Sequence, residues 1–170
     1  MKVISDSSVL IALSSISQLS VLQERFPQGV MIPEAVWREV VEAGGERPGA
    51  GEIRAAVWIQ RRAVEDRDYV RLLAAEIDEG EAEVIGLARQ EGADVVLLDE
   101  KESRRMAGRL GLRVLGTVGL LVWAKRKGLI ASLDAQLKVL QEQGGFRLSR
   151  ELCLEALAQV GEEPRGFSRT

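Results

Sequence analysis

The chain contains no histidine and a single cysteine, and only 4% of its 170 residues are aromatic. Without histidine there is no imidazole to activate a thiol or hydroxyl nucleophile, which removes the usual hydrolase dyads and triads and leaves Cys153 without a base. One cysteine cannot form an internal disulfide, and Cys153, between Leu152 and Leu154, reads as a small residue near an apolar helix face. Zinc sites built from Cys and His are excluded for the same reason. Few aromatics leave few platforms for base stacking. The apolar runs, of which Val118 to Ala124 is typical, fall far short of the roughly 20 residues a membrane span requires, and Met1 leads directly into Val3-Ile4 with no signal-peptide core. A cytoplasmic protein with no membrane partner is the expectation.

What the sequence has is 46% hydrophobic and 29% charged residues, enough for one well-packed domain and too little length for two. The formal net charge is −3, but it is unevenly spread: residues 1–100 carry 10 basic and 19 acidic side chains, residues 101–150 carry 11 and 3. The basic segment begins directly after Asp99. Arg104, Arg105, Arg109, Lys125, Arg126 and Lys127 could simply solvate helix faces, and their position beside an acidic region is what argues for more.

Aliphatic segments alternate with helical ones, the pattern of a parallel sheet covered by helices on both faces. Strands are expected at Lys2–Ser5, Val30–Ile32, Asp94–Asp99 and Arg113–Leu115, with Val57–Val64 as a short edge strand. Helices are expected from Ser7 through Leu22, over Glu34–Ala43, Tyr69–Ile77, Gly80–Gln90, Glu102–Leu110 and Val118–Lys127. Two more, Ser132–Gln143 and Ser149–Val160, form a C-terminal elaboration at about 132–160. This gives a single α/β domain over 1–160, with 161–170 as a flexible tail. Gly44–Gly51 reads as a loop. It is not a phosphate loop, since GxxxxGK[ST] is absent.

Four carboxylates stand where a carboxylate is locally out of place. Asp6 and Asp99 close apolar strands, at the strand ends where α/β sheets bind ligands; each could instead cap the helix that follows. Glu81 shares a helix face with Val84, Ile85 and Ala88, although a first-turn acid also suits the helix dipole. Glu39 lies at the margin of its helix's buried face, or is a solvated neighbour of Arg38. Two like charges about 4 Å apart cost about 4 kcal/mol at an effective dielectric near 20, so a convergent set requires protons or cations. With oxygen ligands only, Mg²⁺ or Mn²⁺ is the matching ion, and metal-assisted hydrolysis of a phosphodiester the matching chemistry. An aspartyl-phosphate enzyme is the weaker alternative: Asp6 lacks DxD spacing, and a receiver's acidic pair would not fall at residue 6 with only serine after it.

The motifs Asp6-Ser7-Ser8-Val9-Leu10-Ile11, Ile32-Pro33-Glu34-Ala35-Val36 leading to Glu39, Gly80-Glu81-Ala82-Glu83-Val84-Ile85-Gly86-Leu87-Ala88, Leu97-Leu98-Asp99-Glu100 followed by Arg104, and Gly116-Thr117-Val118-Gly119 occur in that order. Together they resemble the PIN domain family of metal-dependent ribonucleases, and more closely its branch of short prokaryotic proteins often encoded as toxins of toxin–antitoxin pairs. The resemblance covers about residues 2–160. It implies a three-layer α/β/α sandwich with a mainly parallel sheet and a catalytic, metal-binding quartet of Asp6, Glu39, Glu81 and Asp99, with Glu100 as a weaker ligand. Glu81 and Glu100 stand where the family often has aspartate, which lengthens the ligating arms. Ser7 or Ser8 would help fix a metal-bound water and Thr117 would line the site. The resemblance also implies a homodimer and, for a toxin, a small antitoxin partner. The activity expected is Mg²⁺- or Mn²⁺-dependent cleavage of single-stranded RNA, with Arg104 meeting backbone phosphates and Arg105 and Lys101 as further candidates. A catalytically weak protein- or RNA-binding module is the alternative.

Overall fold

The structure, a computed structural model, describes residues 1–47, 49–143 and 145–165; the last five residues of the tail expected over 161–170 lie outside the described residues. The short aliphatic runs are the strands. β1 (Val3–Ser5) is buried throughout, as is β4 (Val95–Leu97), because each is covered by helices on both faces. β2 (Val30–Pro33), β3 (Ile59–Arg62) and β5 (Val114–Leu115) complete a five-stranded sheet of order β3-β2-β1-β4-β5, parallel at every junction. Ile4 pairs with Val96 and Ser5 with Leu97, so β1 and β4 end level at the centre of the sheet. The expected edge strand within 57–64 is β3, whose exposed Arg61 and Arg62 put charge along an open ladder.

On one face α6 (Glu79–Glu91) packs across β1, β2 and β4, flanked by α3 (Glu34–Trp37) and α5 (Arg67–Leu73), with α7 (Lys101–Arg109) beyond it against β5. The other layer holds α1 (Ser7–Ser15), α2 (Ser20–Arg25) and α8 (Thr117–Arg126), with α9 (Leu133–Gln143) and α10 (Arg150–Gln159) packed outside α8. The architecture is a three-layer α/β/α sandwich. Ile4, Leu10, Leu13, Ile85, Leu97 and Leu98 are fully buried between the layers.

Four elements depart from the sequence expectation. The helix expected through Leu22 breaks after Ser15: Ser17 takes φ 57°, and the Ser15 hydroxyl donates to the Ala12 carbonyl. Three serines within four residues offer the backbone competing partners, which favours a turn. The helix expected over Glu34–Ala43 continues α3 as a π-helical turn, Arg38–Glu42, closed by the Ala43 amide on the Arg38 carbonyl at 2.7 Å. That wider turn keeps Val36, Val40 and Val41 buried while Glu39 stays exposed. Part of the glycine-rich loop is helical: α4 (Ala50–Ala55) follows Gly49 at φ 100° and buries Ile53. α5 also begins two residues earlier than expected, because the Asp66 carboxylate accepts the Tyr69 amide and caps it.

Candidate active site

Strand order sets the location. The chain leaves β1 for β2 on one side, while β4 lies on the other, so the loops after β1 and β4 diverge and open a crevice at the carboxyl end of the sheet. Asp6, the first residue past β1, is only 2% exposed. Its amide donates to the Leu97 carbonyl at 3.0 Å, and its Oδ1 accepts the Val9 amide at 3.0 Å, capping α1. Oδ2 is buried and has no hydrogen-bond partner among the described residues. Burial pushes the Asp6 carboxyl well above the usual carboxylate range; the Val9 amide opposes this, and the charges of Asp99, Glu81 and Asp78 reinforce it.

Asp99 follows β4 and is held by the start of α8. The Thr117 amide donates to Oδ1 at 2.8 Å and the Thr117 hydroxyl to Oδ2 at 2.6 Å. Burial raises the Asp99 carboxyl, with the two Thr117 bonds and the Arg104 charge working against it. Arg104 does not reach outward: its Nη1 donates to the Leu98 carbonyl at 2.7 Å. Any side chain at position 116 would have to displace its neighbours. A β-carbon there would lie 2.6 Å from Arg104 Nη1 and 2.9 Å from Asp99 Oδ1.

Glu81, 8% exposed, forms a capping box with Asp78: the Glu81 amide donates to Asp78 Oδ1 at 2.8 Å and the Asp78 amide to Glu81 Oε2 at 3.3 Å. Burial first, and then the Asp78 charge, raise the Glu81 carboxyl. Across the crevice the Ser7 hydroxyl donates to Glu39 Oε2 at 2.8 Å. Asp6, Ser7, Ser8, Glu39, Asp78, Glu81 and Glu100 line one cleft of about 350 Å³. Six of the residues picked out in the sequence thus share a cleft: Asp6, Ser7, Ser8, Glu39, Glu81 and Glu100. Asp99 and Thr117, bonded to each other, are not among the residues lining it; Asp99 lies two residues past Leu97, whose carbonyl accepts the Asp6 amide. Arg105 lies apart on the exposed side of α7, 4.0 Å from Glu102.

Sequence reasoning passed over several acids, among them Glu76 and Glu102, which also line the cleft. Asp78 faces both Asp6 and Glu81, and the D-x-x-E spacing of a capping box was its signal. Glu83, 1% exposed, accepts the Ala35 amide at 2.8 Å and Arg67 at 2.7 Å, tying the start of α3 to α6. It is a structural acid.

The donors are all oxygens, which suits a hard divalent cation, and Asp6 Oδ2 is a buried acceptor in search of a positive partner. Among the described residues, no three acidic side chains are already gathered in a geometry that could hold an ion. Glu81 and Asp99 use their oxygens on internal donors instead.

A family model described as PIN domain, DUF3368, matches residues 2–162. Comparison with curated proteins finds no match. The matched span runs from the residue before β1 to Glu162, whose carboxylate accepts the Leu133 and Asp134 amides at the start of α9, and so takes in every element of the sandwich and the whole acidic cleft. This chain therefore belongs to the PIN domain family, a nuclease-type fold that acts on nucleic acid.

Proposed function

We propose that the protein is a Mg²⁺- or Mn²⁺-dependent endoribonuclease that hydrolyses phosphodiester bonds of single-stranded RNA, and that it serves as the toxin of a type II toxin–antitoxin pair. The observation that carries the reading is Asp6 Oδ2: a buried carboxylate oxygen at the switch point of the sheet, without a hydrogen-bond partner among the described residues, in a cleft shared with Asp78 and Glu81 and under the added negative charge of Asp99. Such a group is costly to bury unless a cation compensates it.

In this reading Asp6, Glu39, Glu81 and Asp99 would hold the ion, with Glu100 at the cleft's edge. A bound divalent ion supplies charge to polarise the scissile phosphate and acidity to make a water molecule nucleophilic near neutral pH. The chain's own residues orient the ligands. The Ser7 hydroxyl fixes Glu39, the Thr117 amide and hydroxyl fix Asp99, and Asp78 anchors the N-terminal turn that carries Glu81. Asp6 keeps its cap to Val9 through Oδ1, which leaves Oδ2 for the cleft. A homodimer and a small antitoxin protein that blocks the cleft belong to the same reading.

The internal bonds made by Glu81 and Asp99 favour a second reading, a catalytically weak PIN module that binds RNA or protein. Isothermal titration of chelator-stripped protein with Mn²⁺, beside Asp99→Asn, separates the two. Saturable binding removed by the substitution, together with cleavage of single-stranded RNA, is the expected result. Absence of binding in the presence and absence of RNA would leave only the module.

A further inference from the structure

The solvent side of α7 carries a row of cations that are almost unpaired among the described residues. Lys101, Arg105 and Arg109 are spaced i, i+4, i+8 and all are exposed, so they form one stripe with about 6 Å of rise between neighbours. Among the described residues, the side chains of Lys101 and Arg109 have no hydrogen-bond or ion-pair partner, and nor does that of exposed Arg113 just beyond the helix. Arg105 has only Glu102 at 4.0 Å, both side chains more than half exposed, a pairing of little energetic weight.

The stripe also contains Gly108, where an added β-carbon would meet nothing within 4 Å. Glycine inside a helix costs stability relative to alanine, and no neighbour here requires it. What an exposed glycine permits is close approach of another backbone. The stripe starts beside the cleft, since Glu100 and Glu102, on either side of Lys101, line it.

We propose that this face of α7 is the track for the phosphodiester backbone of the nucleic-acid strand leaving the acidic cleft, with Lys101, Arg105 and Arg109 each meeting one phosphate and Gly108 letting the strand lie close. The proposal deepens the nuclease reading and rests on it for the kind of partner, not for cleavage. A polyanion is the complementary occupant of a cationic row, and the row's step is comparable to that between neighbouring phosphates of an extended strand. Arg104 is not part of the track, because its guanidinium is turned onto the Leu98 carbonyl. Phosphate contacts of this kind hold and orient a strand without reading its sequence.

The test is fluorescence anisotropy of a labelled single-stranded RNA in chelator, titrated with salt. Lys101→Ala, Arg105→Ala and Arg109→Ala are each expected to weaken binding several-fold at low salt and to lower the slope of log affinity against log salt by about 0.7. The same losses are expected on single-stranded DNA of the same sequence. Lys127→Ala, at the opposite end of α8 from the cleft, is expected to change neither quantity. Gly108→Glu, which improves helix propensity while setting an anion in the row, is expected to keep or raise the melting temperature and to lose binding. Unchanged slopes for all three cation variants would overturn the proposal, as would full binding by Gly108→Glu or no RNA binding by the parent protein. Tighter binding of polyglutamate than of RNA would overturn it in favour of an acidic protein partner. Because the assay contains no free metal, failure of the metal-site reading shows separately, in the Mn²⁺ titration.

Discussion

Thr117 satisfies both carboxylate oxygens of Asp99, one through its amide and one through its hydroxyl. The hydroxyl is the half that a substitution can remove. Thr117→Val keeps the side-chain volume and leaves Asp99 Oδ2 unpaired, which is expected to cost about 1–3 kcal/mol in chemical denaturation in chelator. Thr117→Ser retains the donor and is expected to lose less. Equal losses for Val and Ser would mean that the methyl group, not the hydrogen bond, matters.

Asp6 has two separable jobs, and two substitutions divide them. Asp6→Asn keeps an N-cap oxygen for the Val9 amide and removes one of several facing charges. Its melting temperature without metal is expected to equal or exceed that of the parent. Asp6→Ala removes the cap as well and is expected to be less stable than Asp6→Asn by about 1 kcal/mol. Both are expected to abolish Mn²⁺ binding and RNA cleavage. A large loss of stability in Asp6→Asn would show that the ionised carboxylate stabilises the fold.

The acidic cleft and the C-terminal helices should respond to pH with opposite signs. Asp6, Glu81 and Asp99 have folded-state affinities for protons raised above those of the unfolded chain. At these three groups the folded protein therefore binds more protons above the ordinary carboxylate range, and the stability they contribute falls as pH rises through that window. In chelator, melting temperature is expected to rise as pH is lowered from neutral toward the carboxylate range, less so in Asp6→Asn. Glu162 behaves the other way. Burial raises its carboxyl, but the Asp134 and Leu133 amides and Lys125 outweigh burial and hold it below the usual range. Its contribution is present above the unfolded-state pKa and is lost as pH falls through the lower folded value. Glu162→Gln is expected to melt below the parent at neutral pH and to match it in strong acid.

Gly116 is closely hemmed in by the side chains of Arg104 and Asp99. Gly116→Ala places a methyl group against Arg104 Nη1, Asp99 Oδ1 and, at 3.3 Å, the Leu98 carbonyl. Overpacking of this kind costs about 1–3 kcal/mol, and here it is also expected to release Arg104 from Leu98. The checks are chemical denaturation and the salt slope of RNA binding, which should steepen if the freed guanidinium turns outward. An unchanged melting temperature would show that the α8 entry can shift to make room.

Much of this fold was legible because its signals are local. Val95 to Leu98 is a continuous aliphatic run buried on both sides, and α6 through α10 lie within a residue or two of the expected bounds. The segments that escaped depend on competition or on distant partners. The break at Ser17 turns on serine hydroxyls outbidding the helix, and the π-helical turn at Arg38–Glu42 on where Val36, Val40 and Val41 find space. α4 is only six residues long, too short for its period to show. The cleft residues could be picked out as acids at strand ends and on an apolar helix face. Arg104 could not be placed the same way, because a helical pattern puts every arginine of a basic helix in solvent. Its inward turn is set by a glycine twelve positions along, on a different loop. Asp78 was readable as the first member of a D-x-x-E pair, a signal that speaks of capping and not of the cleft.

The two margins of the sheet are closed in different ways, β3 by Arg61 and Arg62 along its exposed side and β5 by having only two residues to pair. Neither margin gives a foreign strand a long, uncharged ladder to copy. Growth of the sheet from molecule to molecule, the route to fibrils, is thereby discouraged at both ends.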